Sequence, residues 1–83
     1  MVIQVKHEIS DEFVDDEFNI EMLNVIVETS YPSTPIKIYL DNDLFGTNTD
    51  KDGKAVCGTS TFKDYDVRVE IMDEIFEDKI CLD

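Results

Sequence analysis

Alternation of apolar and polar residues is the main pattern in this chain. A repeat of two is the period of a half-buried β-strand, since successive side chains point to opposite faces. The apolar residues that share a phase in the two clearest runs are Ile36, Ile38 and Leu40, and Tyr65, Val67, Val69 and Ile71. These two runs predict strands with one face in a core and the other in water.

Shorter runs of the same kind lie between turn-forming residues such as Asp41-Asn42-Asp43 and Asp50–Gly53. They are Val2–His7, Ile20–Thr29, Leu44–Thr49, Lys54–Cys57 and Lys79–Leu82. Within Ile20–Thr29 the apolar phase switches after Met22, which predicts a β-bulge. About seven strands, closely spaced turns and no helix of normal length predict an all-β sandwich.

The segment Glu8–Glu21 departs from this pattern, because it holds seven acids and no base. Ser10 is a candidate helix cap, and Val14 and Phe18 have the spacing of one helical face. Asp and Asn are poor residues for a helix interior, and like charges crowd every turn. We therefore expect an acidic N-terminal loop or short helix, tethered by Phe13 and Phe18.

The chain length of 83 residues indicates one domain, residues 1–83. A chain of this size buries only about 60% of the surface that its unfolded form exposes. Two sheets packed face to face use the available apolar residues economically, because every strand contributes alternate residues to one interior.

The net charge of the chain limits the kinds of partner that it is expected to bind. Twenty acids against seven bases give a formal net charge of −13, so we expect no direct nucleic-acid binding and no membrane partner. The hydrophobic fraction of 42% is too high for a disordered acidic tail. The N-terminal residues lack the pattern of a signal peptide, and no stretch approaches the ~20 apolar residues of a membrane span. We expect a protein made in the cytoplasm.

Few residues are candidates for catalysis, metal binding or a disulfide. Cys57 and Cys81 are 24 residues apart without a CxxC motif, and free buried thiols are favoured over a disulfide. His7 is the single histidine, so neither a zinc site built on histidines nor a Ser-His-Asp triad with a second imidazole is available. A Cys-His pair that includes His7 has no local signature. The sequence predicts no enzyme and no cofactor.

The turn Asn48–Gly53 imitates the start of an EF-hand calcium loop, with oxygen ligands at alternate positions and a glycine at the sixth. The twelfth position is Thr59, where such a loop requires a bidentate Glu. We therefore predict a hairpin turn with solvated carboxylates and no metal site, and leave weak divalent binding by the acidic turns open.

The order of strands and turns from Thr34 to Met72 resembles small immunoglobulin-like and prealbumin-like β-sandwich modules. Examples are bacterial Ig-like, carboxypeptidase-regulatory-like and adhesin B-type repeats. The positions that carry the resemblance are Thr49, Asp50 and Gly53 of a Thr-Asp-x-x-Gly turn, then Tyr65, Val67 and Val69 of a Tyr-x-Val-x-Val strand. The resemblance implies an Ig-like sandwich that serves as a stalk, spacer or docking surface in surface and phage structural proteins, without catalytic residues.

Two functional hypotheses follow. The first is a non-catalytic structural or docking module, an accessory or decoration subunit of a phage particle that binds a larger protein through a sheet face or edge strand. Residues Val2–His7 could add a strand to that partner, and a homo-oligomer is left open. The alternative is an acidic inhibitor that mimics nucleic acid and binds the basic groove of a host or defence protein.

The candidate partner-binding residues lie in the acidic segment. They are Asp11, Glu12, Phe13, Asp15, Asp16, Glu17, Phe18 and Glu21. A third interpretation is a solvated charged segment that keeps an edge strand from pairing with other chains.

Overall fold

A computed structural model describes residues 3–15 and 18–82, and the side chains of residues 3–11 and 20–82. Seven β-strands account for most of these residues. They are β1 (Ile3–Asp15), β2 (Phe18–Thr29), β3 (Pro35–Leu40), β4 (Asp43–Asn48), β5 (Lys54–Thr59), β6 (Tyr65–Ile71) and β7 (Glu74–Ile80).

The strands form two antiparallel sheets. Sheet I has the order β1-β2-β5, and sheet II has the order β4-β3-β6-β7. The chain passes from one sheet to the other after β2, after β4 and after β5. The prediction of an all-β protein with about seven strands is confirmed.

One hydrophobic core lies between the sheets, and the alternating runs supply it. The residues from sheet I are Ile3, Leu23, Val25, Val27, Ala55 and Cys57; those from sheet II are Ile36, Ile38, Leu40, Tyr65, Val67, Val69, Ile71 and Ile80. The inward phases predicted for β3 and β6 are confirmed. Burying each large aliphatic side chain contributes roughly 1.5–3 kcal/mol, so the core relies on nearly all of them.

Thr49 closes the sandwich at one end through its side chain. It is the buried polar residue of the described core, at 3% exposure. Its hydroxyl donates to the carbonyl oxygen of Tyr31 at 2.6 Å and accepts the N–H of Thr34 at 2.8 Å. The connection between β2 and β3 is thereby fastened to the end of β4.

The turn that follows is held by Asp50 and Gly53. The Asp50 carboxylate accepts the N–H groups of Asp52 at 2.8 Å and Lys54 at 3.0 Å, and its own N–H donates to the Lys54 carbonyl oxygen. Gly53 has a positive φ of 81°, and its carbonyl oxygen accepts the N–H of Thr29 at 2.8 Å. The turn carries the chain from β4 in sheet II to β5 in sheet I, so the predicted hairpin, in which these two strands would pair, is wrong.

The prediction of an acidic N-terminal loop or short helix is wrong for the described part of Glu8–Glu21. Residues 8–15 continue β1 and residues 18–21 begin β2, in an antiparallel ladder that pairs Asp11 with Glu21. The ladder gives hydrogen-bond partners to backbone groups that a loop would leave to water. This pairing between strands outweighs the weak local preference of the acidic residues.

The predicted bulge after Met22 is also wrong. The β1–β2 ladder runs without interruption from Ile3 opposite Thr29 to Phe13 opposite Asn19, and its register shifts only between Phe13 and Asp15. The apolar phase switches because Ile20 and Met22 lie on the outer face of sheet I. The backbone at Met22 therefore remains regular.

The two cysteines are free, as favoured from the sequence. Cys57 is buried, and burial raises the pKa of its thiol to about 11. Cys81 is exposed, which corrects the expectation that both thiols are buried. His7 and Cys57 both stand opposite Val25 on its two neighbouring strands, so about 10 Å separates them and they do not form a Cys-His pair.

We predict that Gly53→Ala destabilises the protein by about 3 kcal/mol. The added methyl group would lie 2.3 Å from the carbonyl oxygen of Thr29, and the positive φ is itself costly for alanine. Gly46→Ala is the matched control, since nothing lies within 4 Å of its added methyl group. Urea unfolding of both variants checks this. Equal stabilities would show that the Gly53 contact does not hold the turn.

Candidate functional site: the acidic arm

The first two strands extend beyond the rest of the fold. β5 ends at Thr59, which stands opposite Leu23, so residues 18–22 of β2 pair only with β1, and residues 8–15 of β1 run from the last pairs beside β5 to the end of the β1–β2 ladder. We call these residues the arm. The molecule is elongated, with extents of 45 × 26 × 19 Å. Its radius of gyration is 13.4 Å, whereas a compact chain of this length would have about 12 Å.

The arm contains the described members of the predicted partner-binding set. Asp11, Glu12, Phe13 and Asp15 lie in β1, and Phe18 and Glu21 lie in β2. Asp16 and Glu17 lie outside the described residues. The ladder therefore brings acids from both halves of the segment to one two-stranded element.

Two of these acids face each other directly. Asp11 stands opposite Glu21, on the side of the arm that continues the inner face of sheet I, and both side chains are exposed. Like charges directly opposite each other destabilise a strand pair. The arm therefore carries local repulsion that a cationic group from outside would relieve.

Apolar side chains on the arm were missed from the sequence. Ile9 is 55% exposed on the inner-face side, and Ile20 is 39% exposed on the outer-face side. Ile9 keeps the phase of Val5 and His7, so continued alternation was a signal that could have placed it. The arm thus offers apolar contact on both faces.

The backbone of β1 also has a free edge. The hydrogen bond from the Thr29 N–H to Gly53 shows that odd-numbered residues of β2 direct their backbone groups toward β5. Even-numbered residues of β2 therefore bond to β1, and the odd-numbered residues of β1 direct their N–H and carbonyl groups away from the sheet. They include Val5 and His7 at the base of the arm and Ile9 and Asp11 within it.

The outer face of sheet I continues the apolar surface of the arm toward β5. Ile26 stands opposite Val56, which is 49% exposed. Gly58 leaves room for β2, since an added methyl group there would lie 3.3 Å from the Met22 methyl carbon. Ile20, Met22, Ile26 and Val56 therefore lie on one face of sheet I, with the polar Asn24 between Met22 and Ile26.

The body of the protein neutralises part of its own charge, but the arm does not. Lysine and arginine side chains form ion pairs with acids along the body and the base of the arm. The pairs are Lys6–Glu28, Lys63–Asp41, Arg68–Glu70 and Lys79–Asp66. Arg68 also lies over the Tyr39 ring, 4.5 Å from its centre. None of these pairs reaches an acid of the arm whose side chain is described.

Other kinds of site have little support in the part of the chain that the structure describes. It contains no group of three His, Cys, Asp or Glu side chains able to hold a metal ion. It also contains no helix long and apolar enough to cross a membrane.

The chain matches no protein-family model, no curated protein and no solved structure in three separate comparisons. The arm is therefore identified as the candidate site from its geometry and its residues alone.

We predict that Asp50→Asn lowers the thermal stability at pH 7 and that the loss disappears in acid. The N–H groups of Lys54 and Asp52 hold the pKa of Asp50 below its ordinary value of 3.8. A carboxyl whose pKa is lower in the folded state stabilises that state above its unfolded pKa, and this contribution vanishes as the pH falls through the folded pKa.

Thermal unfolding of the wild type and the variant at pH 7 and in acid well below pH 3.8 measures the effect. Asp52→Asn is the control, because Asp52 is exposed and takes part in the turn through its N–H. A difference between wild type and Asp50→Asn that persists in acid would show that the Asp50 charge is not its cause.

Proposed function

We propose that this protein is a non-catalytic docking module that binds a larger protein through the arm. The observation that carries the proposal is the extension of β1 and β2 beyond β5, which leaves strand edges and both faces of the arm uncovered. Addition of a strand to an exposed sheet edge is a common mode of peptide recognition.

The physical chemistry of the arm supports this proposal. A two-stranded ribbon is marginally stable in water on its own. This ribbon also exposes Ile9 and Ile20 and sets Asp11 against Glu21. A partner that covers the apolar side chains and brings basic groups near the carboxylates would stabilise it.

We also propose that the fold is Ig-like. In an immunoglobulin domain the first, second and fifth strands share one sheet, and the third, sixth and seventh share the other. The strand order of this chain has the same partition, with β4 beside β3 instead of beside β5 as in constant domains. The setting that we propose, an accessory or decoration subunit made in the cytoplasm and incorporated into a phage particle, rests on the resemblance alone.

We predict that Ile20→Ser weakens binding of the larger partner about tenfold or more. Ile20 lies on the outer face of the arm, and burial of such a side chain contributes roughly 1.5–3 kcal/mol. Ile75→Ser is the matched control, since Ile75 is 67% exposed on the outer face of sheet II. Purification of the partner with the wild type, followed by calorimetric titration of each variant, provides the measurement. Equal losses in both variants would contradict docking through the arm.

A second candidate function is mimicry of nucleic acid. Seven acids occur between Glu8 and Glu21, and β1 spans roughly 25 Å over the arm. The five of these acids that lie in the described strands give about one charge per 5 Å of the arm, compared with one phosphate per about 3.4 Å along a single DNA strand. The arm also lacks a base that would neutralise them, since no Lys or Arg occurs between Lys6 and Lys37.

The salt dependence of partner binding distinguishes the two proposed functions. A mimic should lose affinity for its partner steeply between about 50 and about 200 mM salt and compete with DNA for it. The variant Asp11→Asn, Glu12→Gln, Glu21→Gln should then abolish binding. Docking through apolar contacts predicts a weak dependence on salt and a modest effect of the same triple variant. Binding that ignores both salt and the triple variant would exclude mimicry.

A further inference from the structure

We propose that β1 pairs with β1 of a second copy of this chain, antiparallel and about a two-fold axis at Ile9. The two three-stranded sheets would join into one continuous six-stranded sheet. This inference does not depend on the larger partner, because it uses the free edge of β1 and leaves open the outer face of the arm and the edge of β2 beyond β5.

The free edge allows only certain symmetric arrangements. The N–H and carbonyl groups that point outward belong to odd-numbered residues of β1, and an antiparallel pair must bond odd-numbered residues of one copy to odd-numbered residues of the other. A two-fold axis also requires that each contact occurs twice. The register is therefore defined by the residue that meets its own copy.

Most of the possible registers place residues of like charge opposite each other. Axes at Lys6, Glu8, Asp11 or Glu12 place a charged residue opposite itself. An axis at Ser10 places Glu8 opposite Glu12. Like charges directly opposite each other destabilise a strand pair, so these five registers are disfavoured.

The register centred on Ile9 is complementary on both faces. On the inner-face side Ile9 meets Ile9, and His7 stands opposite Asp11. The register also sets Lys6 opposite Glu12 and Glu8 opposite Ser10. Lys6 and His7 are the only basic residues before Lys37, and this register sets both of them against acids.

The register centred on His7 also avoids like charges but fits less well. It places Lys6 opposite Glu8 and Val5 opposite Ile9. It also places Asp11 of one copy opposite Ile3 of the other, and Ile3 is part of the buried core at 9% exposure. The Ile9 register likewise brings an acid, Asp15, opposite Ile3, but it sets both Lys6 and His7 against acids, whereas the His7 register sets His7 against itself.

The pairing gives hydrogen-bond partners to backbone groups of β1 that have no protein partner in the monomer. Between residues 5 and 13 it forms about ten backbone hydrogen bonds, because each of its hydrogen-bonded pairs exchanges two. It also covers Ile9, the apolar side chain of the arm that is 55% exposed on the inner-face side. The opposing force is repulsion between two chains of net charge −13, so added salt should strengthen the dimer.

Disulfide trapping tests the register. In the Ile9 register the two Ile9 Cα atoms are about 5.5 Å apart, within the range for a disulfide. The test uses the full chain with Cys81→Ser, since Cys81 is exposed and Cys57 is buried with a raised pKa. Mild oxidation should give a covalent dimer with Ile9→Cys, and not with Asp11→Cys, whose copies lie about 13 Å apart.

Charge exchange supplies a second test that does not rely on cysteine. Sedimentation equilibrium should show dimers that become more populated between about 50 and about 500 mM salt. Lys6→Glu and Glu12→Lys should each weaken dimerisation about tenfold, because each places like charges opposite each other twice. The double variant should restore it, and circular dichroism confirms that each variant is folded.

Three results would overturn the proposal. They are a wild type that stays monomeric at both salt concentrations, a covalent dimer formed faster by His7→Cys than by Ile9→Cys, and a double variant that fails to restore dimerisation. A monomeric wild type that still binds a larger protein through Ile20 would leave the docking function intact and remove only the dimer.

Discussion

The contact between Gly53 and Thr29 is the constraint on which the rest of the sandwich depends. It lets the backbone of the β4–β5 turn approach β2 so closely that no side chain fits between them. Thr49 and Asp50, the two residues beside it in the motif, supply the hydrogen bonds that bind the β2–β3 connection and the turn itself. One end of the sandwich is thereby closed by backbone contacts, and β5 starts in a fixed register with β2. That register ends at Leu23, and everything beyond it becomes the arm.

The distribution of charge follows the same division into a closed body and an open arm. Basic residues of the body lie beside acids, as Arg68 does with Glu70 and Lys79 with Asp66. The arm has Asp11 facing Glu21 with no base between Lys6 and Lys37 along the chain. Exposed ion pairs contribute little stability each, so their value in the body is mainly to limit repulsion. The arm keeps its repulsion, which makes it the part of the molecule most responsive to an external cation or basic partner.

Local periodicity was enough to predict the core but not the arm. β3 and β6 alternate strictly, because one face of each packs into the core and the other meets water, and their inward residues were predicted correctly. Glu8–Glu21 has the composition of a loop, and its strand structure depends on pairing with β2, which periodicity within the segment does not report. The acids of the site were identified from composition. Ile9 and Ile20 were missed as site residues because their exposure follows from where β5 ends, and no property of their neighbours in sequence encodes that point.

The charged residues of the arm also limit unwanted pairing at the exposed edge of β1. A long unpaired edge such as β1 can pair with almost any extended chain, and natural proteins limit this with charged residues. Evenly spread acids would forbid every self-pairing register. The order Lys6, His7, Glu8, Ile9, Ser10, Asp11, Glu12 instead places its two bases and two of its acids symmetrically about Ile9. The carboxylates of Asp11 and Glu12, which repel other acidic segments, therefore complement His7 and Lys6 of a second copy in this register.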